Sequence, residues 1–104
     1  MMNIFKQLFG GSVTDNLKSI IEQGAFLVDV RTGEEFAEGH VKGSENIPLD
    51  HVPSRLNEFK NKKNIIVFCR SGHRSGEAKI ILEQNGFTKV VNGGSWQNVD
   101  QFVK

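Results

Sequence analysis

A chain of 104 residues, 38% apolar and 24% charged, is one domain, long enough to bury a modest core and too short for two domains. Its 13 Lys and Arg against 12 Asp and Glu leave a net charge of +1, so no overall field directs it to nucleic acid or to an anionic membrane. One cysteine excludes an internal disulfide and fits a reducing compartment, and with only His40, His51 and His73 beside it no closed zinc site can be assembled.

The first residues, MMNIFKQLFGGS, interrupt Ile4, Phe5, Leu8 and Phe9 with Lys6 and Gln7. That run is too short and too broken for a signal-peptide core, and no later stretch could cross a bilayer, so a cytoplasmic protein is expected. Residues 1–12 read as an N-terminal extension, an amphipathic turn that packs on the domain or frays, and 13–104 as a single domain.

From Thr14 to Gln23, Leu17, Ile20 and Ile21 fall at helical spacing, with Thr14 as a candidate N-cap and Gly24 as a stop. AFLVDV (25–30) reads as a buried strand. GEEFAEGH offers one helical turn ended by Gly39, and SENIPL a brief strand before Pro48. A helix is predicted from near Pro53 through Leu56 and Phe59, with Lys60, Lys62 and Lys63 as a solvated C-terminal end. NIIVFC (64–69) is apolar throughout, as in a parallel strand covered on both faces. A helix over 75–85 follows, placing Ala78, Ile81 and Leu82 on one face, with Gly86 as its C′ residue and Phe87 packing back. TKVVNGG is a last short strand, and SWQNVDQFV a last helix with Trp96, Val99 and Val103 in the core.

Alternation of this kind gives a parallel α/β sheet with helices on both faces, and in such sheets the binding site lies at the carboxyl ends of the strands. Cys69 sits at one of those ends and Asp29 to Arg31 at another. The loop CRSGHRS turns from strand to helix within a few residues, which makes its backbone N–H groups converge, and Gly72 can supply a positive φ. Such a cradle is an anion site. The N–H groups, the helix terminus and the charges of Arg70 and Arg74 are expected to favour a Cys69 thiolate. The plainer alternative is a buried structural cysteine, but that does not call for two arginines, a glycine and two serines in the loop that follows.

Three segments together resemble the rhodanese family of sulfurtransferases, over about Thr14 to Phe102. LVDVRTGEEFAEGHVKGSENIPL (27–49) is similar to the family's DVR…GH…NIP pattern, and VFCRSGHRS to its active-site loop. VVNGGSWQNV is similar to its GG…W segment, with a shorter step from Gly94 to Trp96 than is usual. The resemblance implies a three-layer fold with a central parallel five-stranded sheet. It also implies a cysteine that carries sulfur as a covalent persulfide, with no further cofactor and no metal. Cys69 would be the nucleophile, taking sulfur from a small anionic donor such as thiosulfate and passing it to cyanide, a thiol or a protein acceptor. Arg70, Ser71, Gly72, His73, Arg74 and Ser75 would bind the donor and the persulfide, Ser75 doubling as an N-cap; His73 lines the mouth and is not assigned as a base. Asp29, Arg31, Glu35 and His40 are expected to be structural support, with Arg31 paired to Glu35, Asp29 anchoring backbone near the loop, and His40 in a satisfied hydrogen bond.

Other functions remain open at this level: a persulfide carrier between proteins, or a Cdc25-like phosphatase or arsenate reductase. The related phosphatase loop is one residue longer, whereas four residues separate Cys69 from Arg74, a cradle better matched to one sulfur than to phosphate. A monomer or weak dimer without nucleic-acid or membrane partners is expected.

Overall fold

The central strand decides the layering. In the computed structural model, which describes residues 13–103, β3 (Ile65–Cys69) is buried along its whole length. Side chains alternate across a strand, so Ile65, Val67 and Cys69 join one core while Ile66 and Phe68 join the other. The first core is closed by α3 (His73–Gln84) through Ala78 and Leu82, and by Val52 and Phe59 from the segment before β3. The second is closed by Leu17 of α1 (Val13–Gln23) and Val99 of α4 (Trp96–Asp100). An apolar run without alternation is therefore a strand between two helical layers. Full burial of a side chain such as Phe68 contributes roughly 1.5–3 kcal/mol.

The sheet order is β2-β1-β3-β4, every pair parallel, with β1 at Phe26–Asp29, β2 at Glu45–Asn46 and β4 at Val90–Ser95. Among the described residues there are thus four strands, one fewer than the family resemblance implies; β2 is only a two-residue edge, with Pro48, which has no N–H to give, two residues beyond it. Residues 1–12, read as an extension, lie outside the described residues. No described helix is long and apolar enough to cross a membrane.

Several boundaries differ from the sequence reading. The helix expected near Pro53 is two 3-10 turns, Leu49–Ser54 and Leu56–Phe59. Pro53 has no N–H to give to an α-helical ladder, and Arg55 at φ −124° separates the two turns. Thr14 lies within α1, which starts at Val13, and is not its N-cap. The helix after the loop starts at His73, two residues earlier than expected, because Gly72 adopts φ +99° and can itself be the N-cap. Its far end is as expected: the Gly86 N–H donates to Glu83 O and the Phe87 N–H to Leu82 O, the paired bonds of a Schellman motif.

Gly93 marks the tightest packing of β4. A Cβ there would lie 2.7 Å from Val99 Cγ2 and 3.0 Å from Ile66 Cγ2, both in the second core. Gly93→Ala is expected to destabilise the fold by about 1–3 kcal/mol through overpacking, measured as a lower denaturant midpoint with an unchanged slope. An unchanged midpoint would contradict the packing described.

Candidate active site

The first core ends at a sulfur atom. Cys69 is the last residue of β3, and its place in the alternation points it toward α3 and buries it fully. Within three residues the chain must leave the strand and begin a helix. Gly72 makes this possible, both through its positive φ and because a Cβ there would lie 3.3 Å from Gly94 Cα. The reversal brings the Gly72 N–H to 3.0 Å from Cys69 Sγ and the Ser75 hydroxyl to 3.5 Å.

Burial pushes the Cys69 thiol up, but hydrogen bonds from the Ser75 hydroxyl and from the N–H groups of Ser75, Ser71 and Gly72 outweigh it. The group therefore titrates below the ordinary thiol value. Of the contributions expected to favour the thiolate, the hydrogen bonds lead, and the arginine charges are not among the main causes. Ser75 is also not the helix N-cap; it lies in the first turn, buried, and donates to Asn92 Oδ1 at 2.6 Å. A hydroxyl has one proton, so with the thiol protonated it serves Asn92, and on ionisation it can turn to the sulfur. Replacing Ser75 by Ala should raise the midpoint of the thiolate absorbance in a pH titration. A midpoint at the wild-type value would exclude this hydroxyl as a determinant.

Asn92 of β4 was not singled out by sequence reasoning, yet it holds the loop to the sheet. Its Nδ2 donates to Gly72 O at 3.0 Å, while its Oδ1 accepts from Ser75 and, at 3.0 Å, from the Gly94 N–H. The available signal was one amide between two valines and two glycines of a short strand. Asn46 plays a similar part beside β1, donating to Asp29 O and Arg31 O at 3.0 and 2.9 Å.

The two loop arginines have different surroundings. Arg74 forms a two-pronged pair with Glu35, Nη1 to Oε1 at 2.7 Å and Nη2 to Oε2 at 3.1 Å. Arg70 is exposed and has no ion-pair partner among the described residues. Glu35 also completes the capping box of α2 (Gly33–Glu38), accepting from the Thr32 N–H at 3.0 Å while the Glu35 N–H donates to Thr32 Oγ1. The Arg74 hydrogen bonds, then the Thr32 N–H, bring the Glu35 carboxyl down from 4.5 to about 2.

The expected Arg31–Glu35 pair does not form. Arg31 folds back on Asp29, two residues away, with Nε 3.0 Å from both carboxylate oxygens and Nη2 2.7 Å from Oδ2. The same Nη2 donates to Gly39 O at 2.7 Å, and the Arg31 backbone N–H donates to Asp29 Oδ1 at 2.9 Å. Both partners are buried, so this pair fixes the α2–β2 connection to the end of β1. Asp29 acts here through Arg31 rather than on the loop itself, while the cap and Arg74 occupy Glu35. His40 has the satisfied bond expected of it, Nδ1 2.8 Å from Phe36 O, and stacks on Phe36 at 3.8 Å. His73 and Ser71 are exposed at the rim, His73 3.4 Å from Glu77. Trp96, expected in the core, is half-buried and carries the Arg31 guanidinium 4.9 Å from its ring centre.

Because the Glu35 carboxyl is depressed in the folded chain, its contribution to stability is complete above its unfolded value near 4.5 and is lost as pH falls toward about 2. The stability gap between wild type and Glu35→Gln should therefore narrow across that window in denaturant titrations. A gap independent of pH would show that the ionised carboxylate is not what holds Arg74.

Comparison with known proteins gives a consistent family. Residues 13–99 match the Rhodanese-like domain. Thiosulfate sulfurtransferase PspE of Escherichia coli is 39% identical over 74 residues, 69% of this chain and 71% of that protein. The uncharacterized protein YqhL of Bacillus subtilis is 41% identical over 68 residues, 65% of this chain but only 54% of its own length. Among solved structures, a rhodanese with anions from E. coli superposes with a TM-score of 0.66 at 38% identity, covering 72% of this chain and 91% of that one. A rhodanese-like domain protein from Staphylococcus aureus does so with a TM-score of 0.71 at 34% identity, covering 84% and 86%.

Proposed function

The chain belongs to the rhodanese-like domain family, and on that footing we propose that it is a sulfurtransferase acting on thiosulfate or a similar small anionic donor. The observation that carries the reading is Cys69 Sγ at the base of the loop, accepting the Gly72 N–H at 3.0 Å with its thiol pKa lowered. A sulfur held this way is an activated nucleophile surrounded by donors suited to a negative charge.

The Cys69 thiolate attacks the outer sulfur of thiosulfate. A new S–S bond forms, the donor's S–S bond breaks, and sulfite leaves with the electron pair. The product is a Cys69 persulfide anion, whose charge the Ser71, Gly72 and Ser75 N–H groups would stabilise as they do the thiolate. An acceptor nucleophile, cyanide or a thiolate, then attacks the terminal sulfur and releases the Cys69 thiolate. No net proton transfer is needed, which is consistent with His73 standing at the exposed rim. Arg70, without a carboxylate partner among the described residues, would meet the donor's sulfonate, while Arg74 holds the loop through Glu35. The short interval from Cys69 to Arg74 favours sulfur over phosphate as the ligand of the cradle.

With a single cysteine the test is direct. Thiosulfate should add one sulfur atom to the intact protein by mass spectrometry, and cyanide should remove it as thiocyanate. Cys69→Ser should show neither adduct nor turnover. Turnover that survives in that variant would overturn the assignment.

A further inference from the structure

Beside the loop lies a cleft of about 260 Å³ whose walls include Arg31, Glu38, Gly39, Arg70 and Trp96. At ~30 Å³ per water it has room for about nine waters, the scale of one amino acid. Arg70 follows Cys69 directly in sequence, and Glu35, the partner of Arg74, also lines this space. The cleft therefore opens on the rim of the reactive loop.

Its chemistry is divided. Arg31 is 95% buried at its side chain, and its Nε and Nη2 are committed to Asp29 and Gly39 O. Its Nη1 has no partner among the described residues, yet no buried side-chain nitrogen there is unsatisfied, so Nη1 is the part of Arg31 that reaches the cleft. Asp29 neutralises the Arg31 charge, so the fixed Nη1 edge offers hydrogen bonds and the exposed Arg70 supplies the positive charge. On the α2 side Glu38 is exposed and without an ion-pair partner among the described residues. The half-buried Trp96 ring, packed over Gly39, forms an apolar wall. Hydrogen-bond donors with a cation, a carboxylate and an apolar flank occur together in a space of amino-acid size.

We propose that this cleft is the acceptor subsite for a zwitterionic thiol of the amino-acid class, its carboxylate on Arg31 and Arg70 and its ammonium on Glu38. The proposal rests on the sulfurtransferase reading above. After sulfite has left Arg70, the acceptor carboxylate can occupy the same cation. Its thiolate attacks the terminal sulfur of the Cys69 persulfide, the S–S bond to Cys69 breaks, and the products are the acceptor persulfide anion and the Cys69 thiolate. Charge and sulfur balance without a further reactant.

Trp96 is the only tryptophan and the chain has no tyrosine, so tryptophan fluorescence comes from the one ring that walls this cleft. S-methylcysteine, which cannot react, should change that fluorescence saturably. Glu38→Gln should weaken it about tenfold, the scale of one charged hydrogen bond, while leaving 3-(methylthio)propionate, which lacks the amine, at its wild-type affinity. In single-turnover discharge of the persulfide, cysteine should be favoured over 3-mercaptopropionate. That ratio should collapse in Glu38→Gln and persist in Glu34→Gln, an exposed neighbour outside the cleft. No saturable fluorescence change, or equal S-methylcysteine affinity in wild type and Glu38→Gln, would overturn the subsite. Discharge by cyanide with no Glu38-dependent ratio would likewise reject the subsite and leave the sulfurtransferase reading standing. Failure to form any persulfide would reject that reading, and the fluorescence arm would still decide the cleft.

Discussion

The reversal of the chain between Cys69 and His73 is the constraint around which the protein is arranged. A strand that ends in the interior and a helix that begins after only three intervening residues leave backbone donors pointing into one small volume, and the Cys69 sulfur occupies it. Everything adjacent holds that reversal in place. Gly72 takes the backbone angle that other residues resist. Asn92 ties Gly72 O to β4, and Arg74 ties the first turn of the helix to α2 through Glu35. These supports come from three separate stretches of chain, so the loop geometry is a property of the whole sheet rather than of seven residues.

Thiolate stabilisation follows from the same arrangement. Full burial of Cys69 alone would suppress ionisation. Hydrogen bonds aimed at the sulfur outweigh burial because they are fixed by the fold and cost little reorganisation when charge appears. The arginines act differently from a simple pair of cations. Arg74 spends its charge on a carboxylate that also caps α2, and so couples two elements. Arg70 lines the cleft beside the loop, exposed and without an ion-pair partner among the described residues. Buried charge elsewhere is neutralised: Asp29 and Arg31 pair with each other, and no buried side-chain polar atom among the described residues lacks a partner.

The sequence by itself determined the layering and the place of Cys69 at the end of the central strand. The unbroken apolar run 65–69 reads as a strand covered on both faces, as it is, and Cys69 at its end, followed by a loop of Arg, Ser and Gly, lies where parallel sheets present their ligands. Gly86 and Phe87 likewise marked a helix end that the structure closes with the expected bonds. These features were legible because they depend on local periodicity and on residues with special backbone freedom. The partner of each charged side chain was decided only by tertiary structure. Arg31 had two carboxylates within reach in sequence, and it took Asp29 because the Thr32 cap and the distant Arg74 claimed Glu35. Asn92 carried no periodic signal, and its three bonds to the loop and its own strand exist only once β4 lies beside β3. Spacing along a chain sets which face a side chain is on; which groups then share a proton or a charge depends on distances across elements that sequence order does not contain.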